Sequence, residues 1–283
     1  MRILTIFARH GRVKYATALD DLRAYQERRL PRSTIELVLV DNDAEAGGDP
    51  EEGCTVLSGS NRAWEFSAWD DGLAHVGSRL WDFDLVHLVT SAFNTLYTRY
   101  IERLDDDTLS LVAGRAVAVG HVDRYGEPVQ LFGSPTQHWL RSSFIFLPPA
   151  ELVALGRLAD LGDPSRFFSG DPARPFRPEA PLSENYRRYI IDWLTGEGTG
   201  QGVTWHSRFQ LDAATLPYFE AKTMAILNEH WLSMRLRRQG CAIVDATWLG
   251  TAGAQPGGRP GTIPGWRVQL AGRDTDAVQL ERS

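Results

Sequence analysis

The chain has 283 residues, a formal net charge of −6, 43% hydrophobic residues and 23% charged residues. These values are typical of a globular protein with one large α/β domain or two smaller ones, and the negative charge argues against a general nucleic-acid binder. No apolar run reaches the ~20 residues of a membrane span, and the run 3–7 is too short for the core of a signal peptide. Cys54 and Cys241 lie too far apart to indicate a disulfide framework or a cysteine metal site. We therefore expect a cytoplasmic protein.

The first 108 residues alternate short apolar runs with segments of helical spacing. Apolar runs predict buried strands over 3–7, 35–43, 54–61 and 84–89, and the spacing predicts helices over 15–29, 64–76 and 96–104. This order predicts an α/β fold with a doubly wound sheet flanked by helices. Ligands of such sheets bind at the carboxyl ends of the strands, which directs attention to residues 9–14, 41–43 and 90–94.

The rest of the chain has a less regular pattern. Strands are predicted over 110–120 and 142–147, with a connecting segment between them, and helices over 150–157, 186–194 and 217–239. Residues 162–185 contain several Pro and Gly, which predicts an irregular insertion, either a loop or a lid. Residues 251–283 begin with a Gly/Pro-rich stretch and are predicted to form a flexible tail.

Three stretches, in this order, resemble the family 2 inverting glycosyltransferases, which have the GT-A fold. The first is IELVLVDND (35–43), which resembles the strand that ends in an Asp near the nucleotide. The second is SNRAWEFSAWDDGL (60–73), which is similar to the loop and helix that start with Asn and end in Gly. The third is LNEHWLSMRLRRQGCAIVD (227–245), which resembles an acidic pair followed by an Arg-containing helix and a short strand. The resemblance covers roughly residues 1–160 and 218–250.

The resemblance implies a mixed GT-A-like sheet in a single domain over residues 1–250. Its nucleotide-binding half would be 1–108 and its acceptor half 109–250. It also implies a hexosyl- or pentosyltransferase that moves a sugar from a nucleotide-sugar donor to a hydroxyl of a glycan or lipid-linked saccharide, with inversion. Similar sequence patterns occur in enzymes of bacterial cell-surface polysaccharide synthesis. We therefore expect a protein in the cytoplasm or at the inner face of the membrane. The donor, the acceptor and the oligomeric state stay open.

The place of the family's metal-binding motif holds no carboxylates. In the family the third strand ends in an Asp-x-Asp-like motif that holds a divalent cation on the donor diphosphate, and here VHLVTSAF (86–93) stands there. Thr90 and Ser91 are weak ligands for hard cations, which prefer carboxylates. This departure from the family's motif predicts a metal-independent enzyme without a cofactor, in which a divalent metal is not expected, although binding of Mn²⁺ or Mg²⁺ stays open.

Other acidic groups compete for the metal role. Asp82 and Asp84 have the right spacing but start the strand, ~20 Å from its carboxyl end at ~3.3 Å per residue. Residues 105–107 are three consecutive Asp, predicted to be a solvated turn. Asp41 and Asp43 fit base or ribose binding better, or a simple cap of the strand end.

Without a metal, arginines and other donors would stabilise the leaving diphosphate. Residues expected to contact the nucleotide sugar are Arg9, Arg12, Lys14, Asp41, Asp43, Asn61, Arg62, Glu65, Asp71, Thr90 and Ser91. Candidates for acceptor or phosphate contacts are Arg141, His206, Arg208 and Asn228, and His10 is a further possible phosphate ligand. For each basic residue the alternative is an ordinary surface charge.

Inversion requires a carboxylate that takes the proton of the acceptor hydroxyl. Alignment of RLRRQG (235–240) with the family's Arg-containing helix puts Glu229 at the base position and Asn228 in place of the first acid. A helix-surface Glu paired with a nearby Arg is the alternative. Glu184, Asp192 and Glu220 are weaker candidates for the base.

Two rival hypotheses remain. A catalytically silent glycosyltransferase-like module, acting as a binding or scaffold protein, would explain both the missing Asp-x-Asp motif and Asn228. The second rival hypothesis is an enzyme of an unrelated family with a doubly wound α/β sheet. The sequence lacks the G-x-G-x-x-G and G-x-x-x-x-G-K-[ST] patterns, which counts against a dinucleotide binder and a P-loop NTPase.

Overall fold

The computed structural model describes residues 1–43, 51–95, 98–196, 208–253 and 262–271. The chain forms two compact units. Unit 1 comprises Met1–Val122, Leu140–Leu158 and Arg235–Ser283, and unit 2 comprises Asp123–Trp139 and Ala159–Met234. The chain is therefore divided at other places than residue 108, and much of the expected acceptor half belongs to unit 1.

Unit 1 is built on a seven-stranded sheet with the order β3-β2-β1-β4-β8-β5-β9. Its strands are β1 (Arg2–Arg9), β2 (Thr34–Asp41), β3 (Thr55–Ser58), β4 (Leu85–Thr90), β5 (Val117–Gly120), β8 (Phe144–Leu147) and β9 (Ala242–Asp245). Strands β1 to β4 are parallel to one another, β8 runs antiparallel to β4 and β5, and β9 is parallel to β5. The mixed sheet of the predicted GT-A-like fold class is confirmed.

The sheet is covered on both faces, and its central strands β1, β2 and β4 are mainly apolar and buried. Alternate residues of these strands, such as Phe7 and Leu39, pack in one core cluster with residues of three helices, α1 (Ala18–Arg29), α3 (Asp106–Ser110) and α7 (Ala246–Gly253). On the other face a Cβ at Gly72 of α2 (Trp64–Val76) would meet Ile6 at 2.6 Å and Val40 at 3.3 Å, so this helix lies close against the sheet. The sheet is therefore doubly wound, as predicted.

The described helices begin and end near the predicted positions in most cases. They are α1 (Ala18–Arg29), α2 (Trp64–Val76), α3 (Asp106–Ser110), α4 (Pro149–Leu155), α5 (Glu184–Thr195), α6 (Leu216–Arg238), α7 (Ala246–Gly253) and α8 (Trp266–Leu270). In the part of the chain that the structure describes, no helix is long and apolar enough to cross a membrane.

Unit 2 contains a two-stranded sheet of β6 (Val122–Leu131) and β7 (Ser134–Leu140), where the sequence predicts only a connecting segment. The two strands are joined through Phe132 and Gly133, which both have positive φ, 51° and 70°. Two residues with positive φ are the geometry of a tight hairpin turn. The turn was missed because a bulky aromatic residue, and not Asn or Asp, occupies its first position.

The insertion 162–185 is irregular, as predicted, apart from a single 3₁₀ turn at Pro164–Arg166 and the start of α5. Its aromatic residues Phe167, Phe168 and Phe176 are buried in the core of unit 2. The Phe176 ring lies 5.8 Å from that of Phe219 on α6. These contacts anchor the insertion within its own unit.

The predicted strand 110–120 is wrong over its first half. Asp105 accepts a hydrogen bond from the Thr108 backbone N–H at 2.9 Å and so caps α3, and the strand is confined to Val117–Gly120. The three Asp at 105–107 are not a solvated turn either, because Asp106 is buried and bonds Ser33 and the backbone of Arg32. The hydrogen bonds of Asp105 and Asp106 therefore determine the structure of this segment, and its apolar content does not.

The predicted helix 96–104 is reduced, among the described residues, to a 3₁₀ turn at Ile101–Arg103. Residues 96 and 97 lie outside the described residues. The helical spacing of the segment arises because Tyr100, Ile101 and Leu104 are buried in the core of unit 1. Residues three and four positions apart are therefore buried together here without forming a regular α-helix.

The predicted tail is ordered in part. Residues 246–253 form α7, and residues 262–271 include α8, which packs against β9. Gln269 is 3% exposed; its side chain accepts from Asp245 N–H at 2.7 Å and donates to the Ile243 carbonyl at 3.1 Å. The flexibility of the tail stays a prediction. Residues 254–261 and 272–283 lie outside the described residues.

Candidate functional site

The carboxyl ends of β1, β2 and β4 lie side by side at one edge of the sheet. The register aligns Arg9 with Asp41, and Ala8 with Thr90. β2 lies on one side of β1 and β4 on the other, so the chain reverses its direction of winding at β1. Such a switch point is where open α/β sheets bind their ligands. Asp82 and Asp84 lie at the opposite end of β4, as predicted, and Asp84 accepts from the Arg2 backbone N–H at 2.8 Å.

Asp41 is the centre of a charged cluster at this edge. Its side chain is fully buried, and its Oδ2 accepts from Nε and Nη2 of Arg9 at 3.0 and 2.6 Å. The same oxygen accepts from Nε of Arg12 at 3.1 Å and from Nη2 of Arg12. Oδ1 accepts from the Asp43 backbone N–H at 3.0 Å. Asp41 is therefore saturated with protein donors and organises the edge.

The two arginines of the cluster keep the Asp41 carboxyl ionised. Burial alone raises the pKa of this carboxyl, but the hydrogen bonds from Arg9 and Arg12 outweigh burial, so its pKa lies below the ordinary value. Arg9 also donates to Glu51 at 2.5 Å, and its side chain is only 12% exposed. Arg9 is therefore committed to carboxylates in this structure, although the sequence places it among the phosphate ligands.

Asp43 and His10 form a more accessible pair at the same edge. The His10 Nδ1 lies 2.7 Å from the Asp43 Oδ1, with the His10 side chain 63% exposed and that of Asp43 25% exposed. The other Asp43 oxygen accepts from the Arg12 backbone N–H at 3.0 Å. Of the two predicted acidic residues, Asp43 is the one that a ligand could reach.

Ser91 ties the loop after β4 to the loop after β1. Its hydroxyl donates to the His10 carbonyl at 2.6 Å and accepts from the His10 backbone N–H at 3.2 Å. Ser91 is buried, and the neighbouring Thr90 is half-buried with its backbone N–H bonded to Ser143. The small residues found in place of the expected carboxylates thus hold the backbone of His10.

The loop before α2 is strained and lies against the end of β2. Asn61 and Trp64 both have positive φ, 47° and 53°, which is uncommon for residues other than glycine and often marks a functional site. Asn42 donates to the Trp64 carbonyl at 3.2 Å, and a Cβ at Gly59 would lie 2.1 Å from the Asn42 Oδ1. Gly59 is therefore required for Asn42 to reach the loop.

Four other residues of unit 1 were predicted to contact the donor, and each has a different environment in the structure. Asp71 accepts from the Ser60 backbone N–H at 2.9 Å, and Glu65 accepts from the Ser142 hydroxyl at 2.9 Å, so both brace loops. Arg62 is exposed and lines a cavity of about 490 Å³ with residues of α2 and α4. Lys14 is exposed, with its Nζ 5.1 Å from the centroid of the Tyr15 ring.

The predicted acceptor and phosphate candidates are scattered. Arg141 lies in unit 1, half-buried, with its backbone N–H bonded to His121 at 2.9 Å. Arg208 lies in unit 2 and is exposed. His206 lies outside the described residues. The positions of Arg141, His206 and Arg208 in the sequence do not show whether these residues belong to one site.

The predicted acidic pair lies on α6 in unit 2. Asn228 is 2% exposed, and its Oδ1 has no hydrogen-bond partner among the described residues. Glu229 is half-buried, and its charge helps to raise the pKa of both Tyr125 and Tyr186, second to burial as a cause for Tyr186. Glu229 therefore lies close enough to both tyrosines to act on them electrostatically.

Those tyrosines belong to an aromatic cluster of unit 2, made of Tyr125, Trp139, Tyr186, Tyr189 and His230. The Tyr125 and Tyr189 rings are stacked at 5.2 Å, and the Trp139 and His230 rings lie 4.1 Å apart. Tyr186 hydrogen-bonds through its hydroxyl to Nδ1 of His230. The cluster comes from three separate segments, so no local sequence pattern marks it.

Several polar atoms of this region lack a partner within the described part of the chain. They are the Tyr125 hydroxyl, the Trp139 Nε1, the Thr223 hydroxyl and the Asn228 Oδ1. Such buried atoms usually bond a protein group, a water or a ligand, and each one left unpaired costs about 1–3 kcal/mol. The interior of unit 2 is therefore rich in unmatched hydrogen-bonding capacity.

Metal ligands do not gather in either unit as far as the structure describes the chain. Among the described residues, no group of three or more His, Cys, Asp or Glu side chains is arranged to hold a metal ion. The carboxylates nearest to each other at the sheet edge are bound to arginines or to His10.

The sequence and the structure were compared with those of known proteins. No protein-family model matches the chain, and no curated protein matches it significantly. Among solved structures, a mannosyltransferase from Pyrobaculum calidifontis in complex with GDP-Man and Mn²⁺ is 14% identical with a TM-score of 0.38, covering 90% of this chain and 76% of that chain. A 2-C-methyl-D-erythritol 4-phosphate cytidylyltransferase from Thermus thermophilus is 13% identical with a TM-score of 0.32, covering 80% of this chain and 98% of that chain. These scores are too low to support an argument about function.

Proposed function

We propose that the protein is a glycosyltransferase that moves a sugar from a nucleotide-sugar donor to a hydroxyl of a glycan or lipid-linked saccharide. The observation that carries the proposal is the Asp41-centred cluster at the carboxyl ends of β1 and β2, at the switch point of a doubly wound mixed sheet. The first two motifs that resemble family 2 glycosyltransferases, residues 35–43 and 60–73, meet at this edge, where Asn42 bonds the Trp64 carbonyl.

The donor nucleotide would bind to groups that the cluster holds in place. Asp43 has an accessible carboxylate that can accept hydrogen bonds from ribose hydroxyls or a base N–H. Asn61 lies in the strained loop next to it, and the buried Asp41 fixes the positions of Arg9 and Arg12. A site built in this way is preorganised, which lowers the cost of binding.

The diphosphate would be met by protein donors and not by a resident divalent cation. Asp41 is committed to two arginines, and Thr90 and Ser91 offer only hydroxyl oxygens at the end of β4. Protein donors aimed at the leaving phosphate would take over the charge stabilisation that a cation supplies elsewhere.

The acceptor would be deprotonated by Glu229, in an inverting displacement. The resemblance of residues 227–245 supports this role, as does the environment of unit 2. The unmatched hydrogen-bonding atoms of Tyr125 and Asn228 suit hydroxyl groups, and aromatic side chains suit the faces of sugar rings. A role in bacterial surface polysaccharide synthesis, at the inner face of the membrane, is part of the same proposal.

A thermal-shift screen tests the proposal directly. The protein would be heated with UDP, GDP, dTDP and CDP and their common sugar conjugates, with Mn²⁺ and again with EDTA. A ligand at about 100 times its Kd adds about 2.7 kcal/mol of stability, which is a visible rise in Tm. We expect one nucleotide family to stabilise the protein equally in both conditions, and Asp43→Asn to reduce the shift, whereas Asp20→Asn on the exposed face of α1 would not.

The other outcomes are as informative. Stabilisation only with Mn²⁺ would overturn the metal-independent part of the proposal. Stabilisation without any sugar transfer or hydrolysis of the donor would favour a catalytically silent binding module. No shift with any nucleotide would contradict the donor site itself.

A further inference from the structure

The pair of His10 and Asp43 has a feature that the organising role of the cluster does not explain. Nδ1 of His10 is engaged by Asp43 at 2.7 Å, yet the imidazole is 63% exposed. The ring is thus held by one nitrogen and presents the other, Nε2, at the carboxyl edge of the sheet. A histidine with one nitrogen fixed by a carboxylate is oriented for hydrogen bonding or proton transfer through the other.

The backbone of His10 is fixed as well. The buried hydroxyl of Ser91 bonds both its N–H, at 3.2 Å, and its carbonyl, at 2.6 Å. Ser91 comes from the loop after β4, on the far side of β1 from Asp43, which follows β2. His10 is therefore held from both neighbouring strands at the switch point, where a donor diphosphate would lie under the proposed function.

We propose that His10, protonated and held by Asp43, donates a hydrogen bond from Nε2 to the departing diphosphate. This inference rests on the proposed function. A protonated ring donates from both nitrogens, one to Asp43 and one to phosphate, and Asp43 balances its charge. In the reaction the bond from the sugar C1 to the phosphate oxygen breaks and its electron pair stays on that oxygen. The acceptor oxygen bonds C1, and its proton goes to the base.

The surroundings of His10 are mixed in charge. Asp43 faces it from the end of β2, and Ser91 is the neutral contact from the loop after β4. Arg9 at the end of β1 and Arg12 in the loop are balanced by two carboxylates, Asp41 and Glu51. The carboxylate of Asp43 is thus the charged group in direct contact with the ring among the described residues.

The test separates phosphate binding from nucleoside binding. Kd values for UDP, GDP, dTDP and CDP and for their four parent nucleosides would be measured by calorimetry from about pH 5.5 to about pH 8.5. The variants are His10→Ala, His10→Gln and Asp43→Asn. The control is His75→Ala, because His75 is an exposed histidine in the last turn of α2. Circular dichroism would confirm that each variant is folded.

We expect the wild-type protein to bind its diphosphate more tightly as the pH falls, and its nucleoside with no such dependence. A charge-assisted hydrogen bond contributes about 1.5–3 kcal/mol, so His10→Ala should weaken diphosphate binding by about 10-fold or more at low pH. His10→Ala should also lose the pH dependence, and His10→Gln, which keeps an uncharged donor, should lose it too. His75→Ala should behave as the wild type.

Two results would overturn the inference while leaving the proposed function intact. One is a His10→Ala protein that binds the diphosphate with the wild-type pH profile. The other is an equal loss for diphosphate and nucleoside, which would mean that His10 only shapes the loop. If the wild-type protein binds none of the four diphosphates, the proposed function fails, and the role of His10 fails with it.

Discussion

Asp41 in unit 1 and the aromatic cluster in unit 2 satisfy their buried polar groups in opposite ways. At the edge of the sheet in unit 1, the fully buried Asp41 is matched by two arginines and a backbone N–H. In the aromatic cluster of unit 2, the Tyr125 hydroxyl and the Trp139 Nε1 have no partner within the described residues. The contrast indicates that Asp41 is satisfied by the protein itself, whereas the aromatic cluster retains polar groups that a bound molecule or water would satisfy.

The largest expected effect concerns the chemistry assigned to unit 2. Glu229→Gln should lower the rate of sugar transfer by about 10²- to 10⁴-fold, because it removes the proposed base but keeps the shape of the side chain. Nucleotide binding should be unchanged. Steady-state kinetics with the donor found in the thermal-shift screen would measure the loss.

The matched control for that variant is Glu220→Gln, a change of the same kind on the same helix. Burial raises the pKa of Glu220, so this residue is also a plausible base by its environment. A larger loss in Glu220→Gln than in Glu229→Gln would transfer the role to Glu220 and contradict the alignment of residues 235–240.

The next effect tests the claim that unit 1 uses its charges for structure. Asp41→Asn leaves Arg9 and Arg12 without their shared carboxylate and should cost about 3 kcal/mol of unfolding free energy. Asp43→Asn, at the more exposed position, should cost less than about 1 kcal/mol. Chemical denaturation of the two variants measures both, and equal losses would show that Asp41 does not organise the edge.

His87 is a buried polar group of unit 1 that predicts a pH effect on stability. The ring is fully buried between Phe144 and Phe146, its nitrogens have no hydrogen-bond partner among the described residues, and burial lowers its pKa from 6.5 to about 3. The unfolded chain takes up a proton below about pH 6.5 and the folded chain does not. Stability is therefore fully present above that pH and falls as the pH decreases towards about 3.

Between about pH 8 and about pH 5 the loss from His87 should be about 2 kcal/mol. The replacement His87→Leu has a similar volume and no titrating group, so it should remove this part of the pH dependence. Denaturation of both proteins at the two pH values gives the difference directly, with the contributions of all other groups cancelling. An identical pH dependence in the two proteins would contradict a neutral buried histidine.

The smallest effect compares two tyrosines of the aromatic cluster. Tyr186→Phe removes the hydrogen bond to His230 and should cost about 1 kcal/mol. Tyr125→Phe removes a hydroxyl that has no partner in the described part of the chain, so it should be neutral or slightly stabilising. Thermal unfolding of the two variants would show the difference. A cost for Tyr125→Phe similar to that of Tyr186→Phe would mean that its hydroxyl is already matched, by bound water for example.

Most of the sheet could be predicted from the sequence, for a physical reason. Strands β1, β2 and β4 are largely buried on both faces, so their sequences are mainly apolar, and α2 begins and ends at the predicted residues. The ends of these strands also located Asp41, Asp43 and Ser91 at one edge. Elements of the fold that depend on residues close together in the sequence could therefore be predicted.

The parts that depend on distant side chains could not be predicted. The sequence shows Arg9 and Arg12 as free cations, because nothing in it reveals that both bond Asp41, about 30 residues further along the chain. Glu51 and Asn42 were missed for the same reason. The hairpin at Phe132 and the cap at Asp105 were missed because each depends on one local geometry that outweighs the usual residue preferences.

Gln269 has a consequence for assembly. Strand β9 ends the sheet, and an edge strand with free N–H and carbonyl groups is a template for pairing with another chain. The amide of Gln269 occupies one such N–H and one such carbonyl, at Asp245 and Ile243, and so takes the place of a neighbouring strand at that point. This single side chain therefore occupies, at that point of β9, the two backbone groups with which a strand of another chain would pair.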